Sequence, residues 1–370
     1  MSDRDEDSAA IDRGLASLHA MLHGLWRFGA NALVGWTATP RAIEVITVPK
    51  IRLFATVDPH RRIFNGERRM GANTFREVST SLGSEPIEIR LERPVGSEAG
   101  EIDPERIEQA FLPFAITETE HRALFLIDIV GFSRGRPEQQ ASQLATLEFA
   151  LNIVQATAEA NGMVCDLARS TTGDGFYVWN RFKGLSADVD LLAAMVLFLA
   201  FHKALARTVQ VASAVPRIRV VTAIGRHYTY FQPRAEPGET PQYIVGQVSI
   251  EAARLIGSAR DGQIMAADDH RPDDTGIMLD IHAMLARAAQ RLAGLSDVTV
   301  MGQRIAKVEL AATGPAGPDG RIRPQKLRVV DKHGFEHFGY NVTARVDLAA
   351  GEPLISGLTH AELIAPKVKA

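Results

Sequence analysis

The sequence predicts an α+β fold with a ferredoxin-like βαββαβ core, preceded by a smaller α+β region. The first observation is the order of predicted elements from residue 122 onward, which runs strand, helix, strand, strand, helix, strand. The second is the short turn between the two middle strands, which makes them a hairpin. The third is the composition, since 46% hydrophobic and 23% charged residues are typical of a globular protein with a sizeable core.

Each core element has its own sequence signal, because apolar residues recur at every second position in strands and at helical spacing in helices. The predicted strands are 122–130, 163–169, 175–180 and 217–225, and the predicted helices are 137–160 and 187–208. Further elements follow the core: a strand at 243–246, a helix at 248–258, a strand at 262–266 and an amphipathic helix at 281–295.

The chain ahead of the core reads as an accessory region. Residues 10–33 have apolar positions near helical spacing, and short β-type runs follow between residues 40 and 95. A linker is expected near residues 95–117, and 370 residues exceed the usual size of one domain. We therefore predict an accessory region at 1–117, a core domain at 118–345 and a C-terminal tail at 346–370.

Charge and cysteine content exclude several classes of function. A net charge of −3 and a pI near 6.4 give no electrostatic footprint for nucleic acid or an anionic membrane. The lone Cys165 excludes an intramolecular disulfide and a thiolate metal cluster. The most apolar segment, 191–201, is too short to span a bilayer and predicts a core helix. We expect a cytoplasmic protein without nucleic-acid or membrane partners.

Two aspartates carry the strongest chemical signal. Asp128 ends the predicted strand 122–130, and Asp174 lies in the glycine-flanked turn before the strand 175–180. A lone Asp beside Gly usually marks only a turn, but two such sites on neighbouring strands favour a metal clamp. Two carboxylates can hold two Mg²⁺ or Mn²⁺ ions, which prefer oxygen ligands and assist phosphoryl transfer.

A phosphate cradle is predicted directly after Asp128. Gly131, Phe132 and Ser133 precede a helix that opens near Pro137. Free backbone N–H groups at such a turn and helix start favour phosphate binding.

Three sequence blocks resemble the motifs of class III nucleotide cyclases. Residues 125–133 (FLIDIVGFS) are similar to the first metal motif, and residues 172–176 (TGDGF) to the second. The third similarity lies in residues 246–255 (GQVSIEAARL), followed by 259–264 (ARDGQI). The resemblance covers about residues 120–345 and implies a class III cyclase catalytic domain, a phosphorus-oxygen lyase.

The resemblance implies a role for each matching residue at the metal site. Asp128 and Asp174 would bind two Mn²⁺ or Mg²⁺ ions per site, with the backbone carbonyl of Ile129 as a further ligand. Gly131, Phe132 and Ser133 would line the triphosphate of the substrate.

The resemblance also implies a dimer. Arg254 would stabilise the transition-state phosphate, reaching across from the partner subunit, so the site is composite and the protein a head-to-tail homodimer. Near the C-terminus, Lys332 is expected to correspond to the family's phosphate-binding lysine.

The departures from the family concern the base and the ribose. Ser170 and Tyr243 occupy the two positions at which purine-specific members read the base, and Ile250 replaces the ribose-orienting Asn. The bulkier Tyr243 would fill the volume of a purine's second ring and favour a pyrimidine. The hydroxyls of Ser170 and Tyr243 can each donate or accept, so they do not choose between uracil and cytosine.

These departures and the long N-terminal extension make the chain similar to the bacterial pyrimidine cyclases of Pycsar anti-phage defence. That resemblance implies conversion of UTP to cyclic UMP, a second messenger that activates a separate cyclic-nucleotide-responsive effector. The alternatives are formation of cyclic CMP from CTP, a purine (adenylate or guanylate) cyclase with unconventional base readers, and a degenerate nucleotide-sensing dimer without activity.

Overall fold

The computed structural model describes residues 3–55, 64–98, 100–209, 214–236 and 240–365. These residues form an α+β fold, as predicted. The chain divides into two compact units, of which the first takes the residues up to Thr119 together with Tyr228–Val245. The second unit contains Glu120–His227 and the chain from Gly246 onward. The first unit therefore has a second chain segment, where the sequence suggested a single boundary at residue 117.

The first unit begins with a helix and a small sheet. Its elements up to residue 111 are α1 (Asp3–Trp26), β1 (Asn31–Thr39), β2 (Ala42–Pro49), α2 (Lys50–Ala55), α3 (Ala72–Leu82), β3 (Ile87–Arg90) and α4 (Pro104–Phe111). The strands pair in the order β1-β2-β3. The predicted helix at 10–33 ends earlier than expected, at Trp26, because Arg27 and Phe28 adopt φ values of 50° and 55°, which a right-handed helix does not accommodate.

The predicted core elements are present at close to their expected bounds. From residue 117 to residue 258 the elements are β4 (Thr117–Ile129), α5 (Pro137–Ala160), β5 (Leu167–Thr171), β6 (Gly175–Asn180), α6 (Leu185–Thr208), β7 (Ile218–Phe231), β8 (Gln242–Val245) and α7 (Gln247–Ser258). The remaining elements are β9 (Ile264–Ala267), β10 (His270–Pro272), β11 (Met278–Asp280), α8 (Ile281–Ala293), β12 (Thr299–Val300), β13 (Gln303–Ala312), β14 (Lys326–Val330), β15 (Glu336–Leu348), β16 (Leu354–Ser356) and α9 (His360–Ile364).

The order of the strands confirms the ferredoxin-like core. The main sheet runs β12-β13-β15-β9-β7-β4-β6-β5, with β14 and β16 paired to β15 and β8 paired to β7. Within it, β4, β5, β6 and β7 stand in the order β7-β4-β6-β5, and α5 and α6 form the two crossovers. This is the arrangement of a split βαβ motif.

Alternation along the strands places the helices on two faces of the sheet. Residues of α5, α6 and α8 share one apolar cluster with Ile264 and Ala266 of β9. Met265 and Ala267 are buried but point to the opposite face. On that face lies α7, since a Cβ at Gly339 of β15 would meet the Leu255 side chain at 3.4 Å. Asp128 points to the α7 face as well, because its neighbours in β4 belong to the first cluster.

The segment predicted as a C-terminal tail contributes to the sheet. β15 continues to Leu348, and β16 pairs with Ala344–Val346 of the same strand. The helix α9 follows with a Thr359 capping box. The last five residues of the predicted tail, 366–370, lie outside the described part of the chain.

The apolar helix α6 is a core helix, as predicted. Among the described residues it is the one helix long and apolar enough to cross a membrane, and 78% of its most apolar window is buried. Two buried carboxylates fix its first turns. Asp188 pairs with Arg271 and accepts from the N–H of Ala123, and Asp190 pairs with Arg291 at 2.7 Å.

Removing Arg271 should destabilise the protein strongly. In Arg271→Met the Asp188 carboxylate, 1% exposed, loses its buried counter-ion, which costs about 3–5 kcal/mol of the free energy of unfolding. Arg287→Met is the matched control, because Arg287 is half exposed and lies 4.0 Å from Asp273; we expect little change there. Urea unfolding followed by circular dichroism measures both. Equal shifts in the two variants would contradict a stabilising role for the buried pair.

Candidate active site

Strand pairing brings the two predicted metal-binding aspartates to one place. β4 and β6 are antiparallel, with Asp128 opposite Gly175. Just beyond this pair, the N–H of Ile129 donates to the backbone carbonyl of Asp174 at 2.9 Å. Asp128, Ile129 and Asp174 therefore lie together where β4 ends and β6 begins.

This close approach depends on Gly175. A Cβ at this position would lie 1.9 Å from the carbonyl oxygen of Ile127, closer than any side chain tolerates. The turn before it also needs glycine, since Gly173 has a φ of 97°, in the region that residues with a Cβ rarely adopt. The two glycines of the TGDGF block thus allow the turn to carry Asp174 next to β4.

Arg219 pairs with Asp128 at this site, and the sequence analysis did not identify it. Its Nε lies 2.9 Å from Asp128 Oδ1 and its Nη2 lies 3.3 Å from Asp128 Oδ2, a two-point ion pair. Its Nη1 donates to the carbonyl of Ala259, the C-cap residue of α7, at 3.1 Å. The signal available in the sequence was an arginine among the apolar residues at the start of β7, on the face opposite Ile218 and Val220.

The oxygen atoms present fit a hard divalent cation. The donors are the carboxylates of Asp128 and Asp174 and the carbonyl of Ile129, all of the type that Mg²⁺ and Mn²⁺ prefer. The guanidinium of Arg219 stands where a cation would neutralise Asp128. No group of three or more His, Cys, Asp or Glu side chains suited to a metal occurs among the described residues. A metal here would need oxygen atoms from a ligand such as a triphosphate.

The predicted phosphate cradle is a tight turn. Gly131 has a φ of 73° and precedes a short 3₁₀-helix, Phe132–Arg134, before α5 begins at Pro137. Arg134 and Gly135 donate backward to the carbonyls of Gly131 and Phe132, both at 3.0 Å. The first N–H groups of such a turn have no acceptor within it, so they can receive an anion beside Asp128.

Arg254 and Lys332 form a second group. Arg254 lies on α7, and its Nε is 3.2 Å from Asp331 Oδ2. Lys332 follows Asp331 in the turn between β14 and β15 and is exposed. The structure thus places these two predicted residues near each other, and it places Asp128, Ile129, Asp174 and the turn at 131–133 in a group of their own.

The three residues that differ from the cyclase motifs, Ser170, Tyr243 and Ile250, are each at least partly exposed. Ser170 is half-buried in β5, opposite Tyr177 of β6. Tyr243 of β8 is 36% exposed and stacks on Tyr230, with ring centroids 5.9 Å apart and planes at 14°. Ile250 is exposed on α7, one turn before Arg254. Ser170 belongs to the second unit and Tyr243 to the first, so their joint reading of a base remains a prediction.

Comparison with solved structures finds nucleotide cyclase domains at low similarity. The catalytic core of a rhodopsin-guanylyl cyclase with converted specificity, in complex with ATPalphaS, has a TM-score of 0.37 and 17% identity over 62% of this chain and 98% of its own. The guanylate cyclase domain of RhGC from Catenaria anguillulae, in complex with GTP, has a TM-score of 0.36 and 17% identity over 62% and 98%. The adenylyl cyclase CyaB from P. aeruginosa has a TM-score of 0.35 and 14% identity over 61% and 95%.

No protein-family profile and no curated protein sequence matches the chain. At such TM-scores and identities the structural likeness carries no argument about activity. The fold description therefore rests on the strand order of this chain.

Gly175→Ala should lower the stability of the protein and its affinity for Mn²⁺ more than Gly257→Ala does. The added Cβ would clash with the backbone of Ile127 and force β4 and β6 apart, so we expect a lower unfolding midpoint and weaker Mn²⁺ binding. Gly257→Ala in α7 is the control, because nothing lies within 4 Å of its Cβ and alanine favours a helix interior by up to about 1 kcal/mol. Urea unfolding and Mn²⁺ titration measure both. Unchanged Mn²⁺ affinity in Gly175→Ala would contradict the close approach.

Proposed function

We propose that this protein is a nucleotide cyclase that converts a nucleoside triphosphate into a 3′,5′-cyclic nucleotide and diphosphate. The observation that carries the proposal is the meeting of Asp128, Ile129 and Asp174 beside the turn that starts at Gly131. Oxygen donors for divalent cations and backbone donors for phosphate then lie side by side. The order of the three cyclase-like sequence blocks supports the same reading.

The reaction is an intramolecular phosphoryl transfer. The ribose 3′ hydroxyl loses its proton to water and its oxygen attacks the α-phosphorus; a new P–O bond closes the ring, and the bond to the β-phosphate breaks to release diphosphate. Two Mg²⁺ or Mn²⁺ ions, when bound by Asp128, Asp174 and the Ile129 carbonyl, would supply charge neutralisation and a more acidic 3′ hydroxyl. Backbone N–H groups of Gly131, Phe132 and Ser133 orient the triphosphate. No separate protein base is required.

Arg219 and Arg254 supply the positive charge of the protein itself. Arg219 holds Asp128 in place without a ligand, and its forked guanidinium can transfer to a phosphate once other cations neutralise the carboxylate. Arg254 stabilises the phosphorane-like transition state, in which charge stabilisation usually provides most of the rate gain. Arg254 is assigned to the site of a second subunit, which makes the active form a homodimer with composite sites. Lys332, exposed beside Asp331, is assigned to the phosphates.

UTP is the proposed substrate and cyclic UMP the product. Support comes from Ser170 and Tyr243, which replace the side chains of purine-specific cyclases, and from the bulk of the Tyr243 ring, which favours a single six-membered ring. Cyclic UMP would act as a second messenger in anti-phage defence and activate a separate effector protein. CTP is the runner-up substrate, because hydroxyl groups suit either pyrimidine.

The non-enzyme alternative is a dimer that binds a nucleotide and signals without chemistry. One observation favours it: Asp128 and Arg254 each already have an ion-pair partner within the chain, Arg219 and Asp331. A binding module could use such pairs as a resting state that a triphosphate opens.

The identity of the cyclic product tests the proposal directly. Purified protein is incubated with ATP, GTP, CTP and UTP in separate reactions with Mn²⁺, and the products are identified by mass spectrometry. We expect cyclic UMP as the main product. Cyclic AMP or cyclic GMP alone would overturn the pyrimidine assignment, and no product despite tight triphosphate binding would favour the sensing module.

Loss of one metal carboxylate should abolish both metal binding and turnover. In Asp174→Asn the site loses half of its carboxylate charge, so we expect weaker Mn²⁺ binding in electron paramagnetic resonance titrations and no detectable cyclic nucleotide. Asp166→Asn is the control. Asp166 directly precedes β5, is about half exposed, and pairs at 2.6 Å with Arg181, which directly follows β6. If Asp174→Asn still bound Mn²⁺ as tightly as the unaltered protein, the metal assignment would be wrong.

A further inference from the structure

Arg254 is held by a network that joins α7 to the β14–β15 hairpin. Its Nε lies 3.2 Å from Asp331 Oδ2, in the turn of the hairpin. His337, at the start of β15, bonds through Nδ1 to Glu251 Oε2 on α7 at 2.7 Å. The Nε2 atom of His337 lies 3.5 Å from the same Asp331 oxygen that meets Arg254. Two side chains of α7 and two of the hairpin thus form one chain of charged and polar contacts.

The contact with Asp331 leaves the two Nη atoms of Arg254 available. Among the described residues, Arg254 forms its ion pair with Asp331 through Nε, and neither Nη atom forms an ion pair or a hydrogen bond. An ion pair at Nε draws the guanidinium toward Asp331, while both Nη groups keep their hydrogens for a phosphate. The side chain is 34% exposed, so a ligand can reach it.

Asp331 is itself firmly anchored. Its Oδ1 accepts from the backbone N–H groups of His333 at 2.8 Å and Phe335 at 3.0 Å, which leaves Oδ2 for Arg254. Burial by itself would raise the pKa of Asp331, but these hydrogen bonds, His337 and Arg254 lower it below its usual range. The carboxylate is therefore ionised at neutral pH, and its 5% exposed side chain is a buried negative charge aimed at Arg254.

The second contact ties the hairpin back to the helix. Glu251 and Arg254 are three residues apart on α7, which places them on one side of the helix. His337 of the hairpin bonds to Glu251 of α7. Asp331 of the hairpin pairs with Arg254, so the hairpin contacts α7 through two polar pairs. A long arginine side chain loses considerable entropy when it is ordered. The ion pair with Asp331 restricts the Arg254 side chain before a substrate arrives.

We propose that Asp331 is a positioning residue for Arg254: it holds the guanidinium through Nε, with His337 and Glu251 as braces, so that both Nη groups face the transferred phosphate. This inference rests on the proposed cyclase function. It assigns the β14–β15 turn a role beyond that of the exposed Lys332, because Asp331 acts through Arg254 without touching the substrate.

A double-mutant cycle in Arg254 and Asp331 tests this role. Asp331→Asn keeps the size of the side chain and an oxygen for the two backbone N–H groups, but it removes the charge that meets Arg254. By analogy with other positioning partners, we expect kcat to fall about 10- to 100-fold with KM for the nucleotide little changed. Arg254→Ala should lower kcat by roughly two to three orders of magnitude, and adding Asp331→Asn to it should cause no further loss.

Arg328→Ala is the matched control on the same hairpin. It removes the exposed ion pair between Arg328 and Glu336, 2.8 Å apart across β14 and β15, and should leave kcat unchanged. Thermal unfolding of every variant shows whether a loss of activity reflects a loss of folded protein. If Asp331→Asn lowered kcat by the same factor with and without Arg254, the residue would have a general structural role and the inference would fall.

A measurement without nucleotide separates this inference from the proposed function. The Nε–H signal of Arg254 in a ¹H–¹⁵N spectrum is assigned by its disappearance in Arg254→Lys. We expect slow exchange with water in the unaltered protein and fast exchange in Asp331→Asn. If no nucleotide is cyclised but this difference is present, the cyclase proposal fails and the restraint on Arg254 stands. If exchange is equally fast in both proteins, the restraint is wrong whatever the activity.

Discussion

Antiparallel pairing of β4 with β6 is the constraint on which the candidate active site depends. The register that sets Asp128 opposite Gly175 also brings the Asp174 carbonyl to the N–H of Ile129. A one-residue slip would turn Asp128 toward the apolar cluster of α5 and α6. The carboxylates of Asp128 and Asp174 repel each other. Backbone hydrogen bonds and the burial of the neighbouring strand residues therefore bring them together.

Asp128 and Arg254 each have an ion-pair partner before any ligand binds. Arg219 neutralises Asp128, and Asp331 neutralises Arg254. In the proposed complex, the cations of the triphosphate would take the place of Arg219 at Asp128, while Arg254 would keep its contact with Asp331 and meet the phosphate through its Nη groups. The energetic cost of binding is then an exchange of ion pairs, which is smaller than the cost of stripping water from isolated charges.

Local sequence patterns predicted most of the core and the two aspartates that strand pairing brings together. The helix at 137–160 and the strand at 175–180 were expected at the bounds they have, because their apolar spacing and flanking Pro and Gly are local signals. Arg219 and Asp331 were not predicted as site residues, since each acquires its role from a partner far along the chain. The helix α1 ends before Arg27 and Phe28, whose positive φ values have no signal in the sequence. The strand β16 was not predicted because its pairing with β15 is a tertiary contact.

The two-segment composition of the first unit limits how the polypeptide can be divided. Tyr228 and Tyr230, from its second segment, pack against an apolar cluster that includes Phe75 of α3. A recombinant fragment beginning near residue 118 would retain this hairpin without the cluster that covers it, and its exposed aromatic rings would promote aggregation. An exchange of the first unit for another would therefore have to replace both of its segments together.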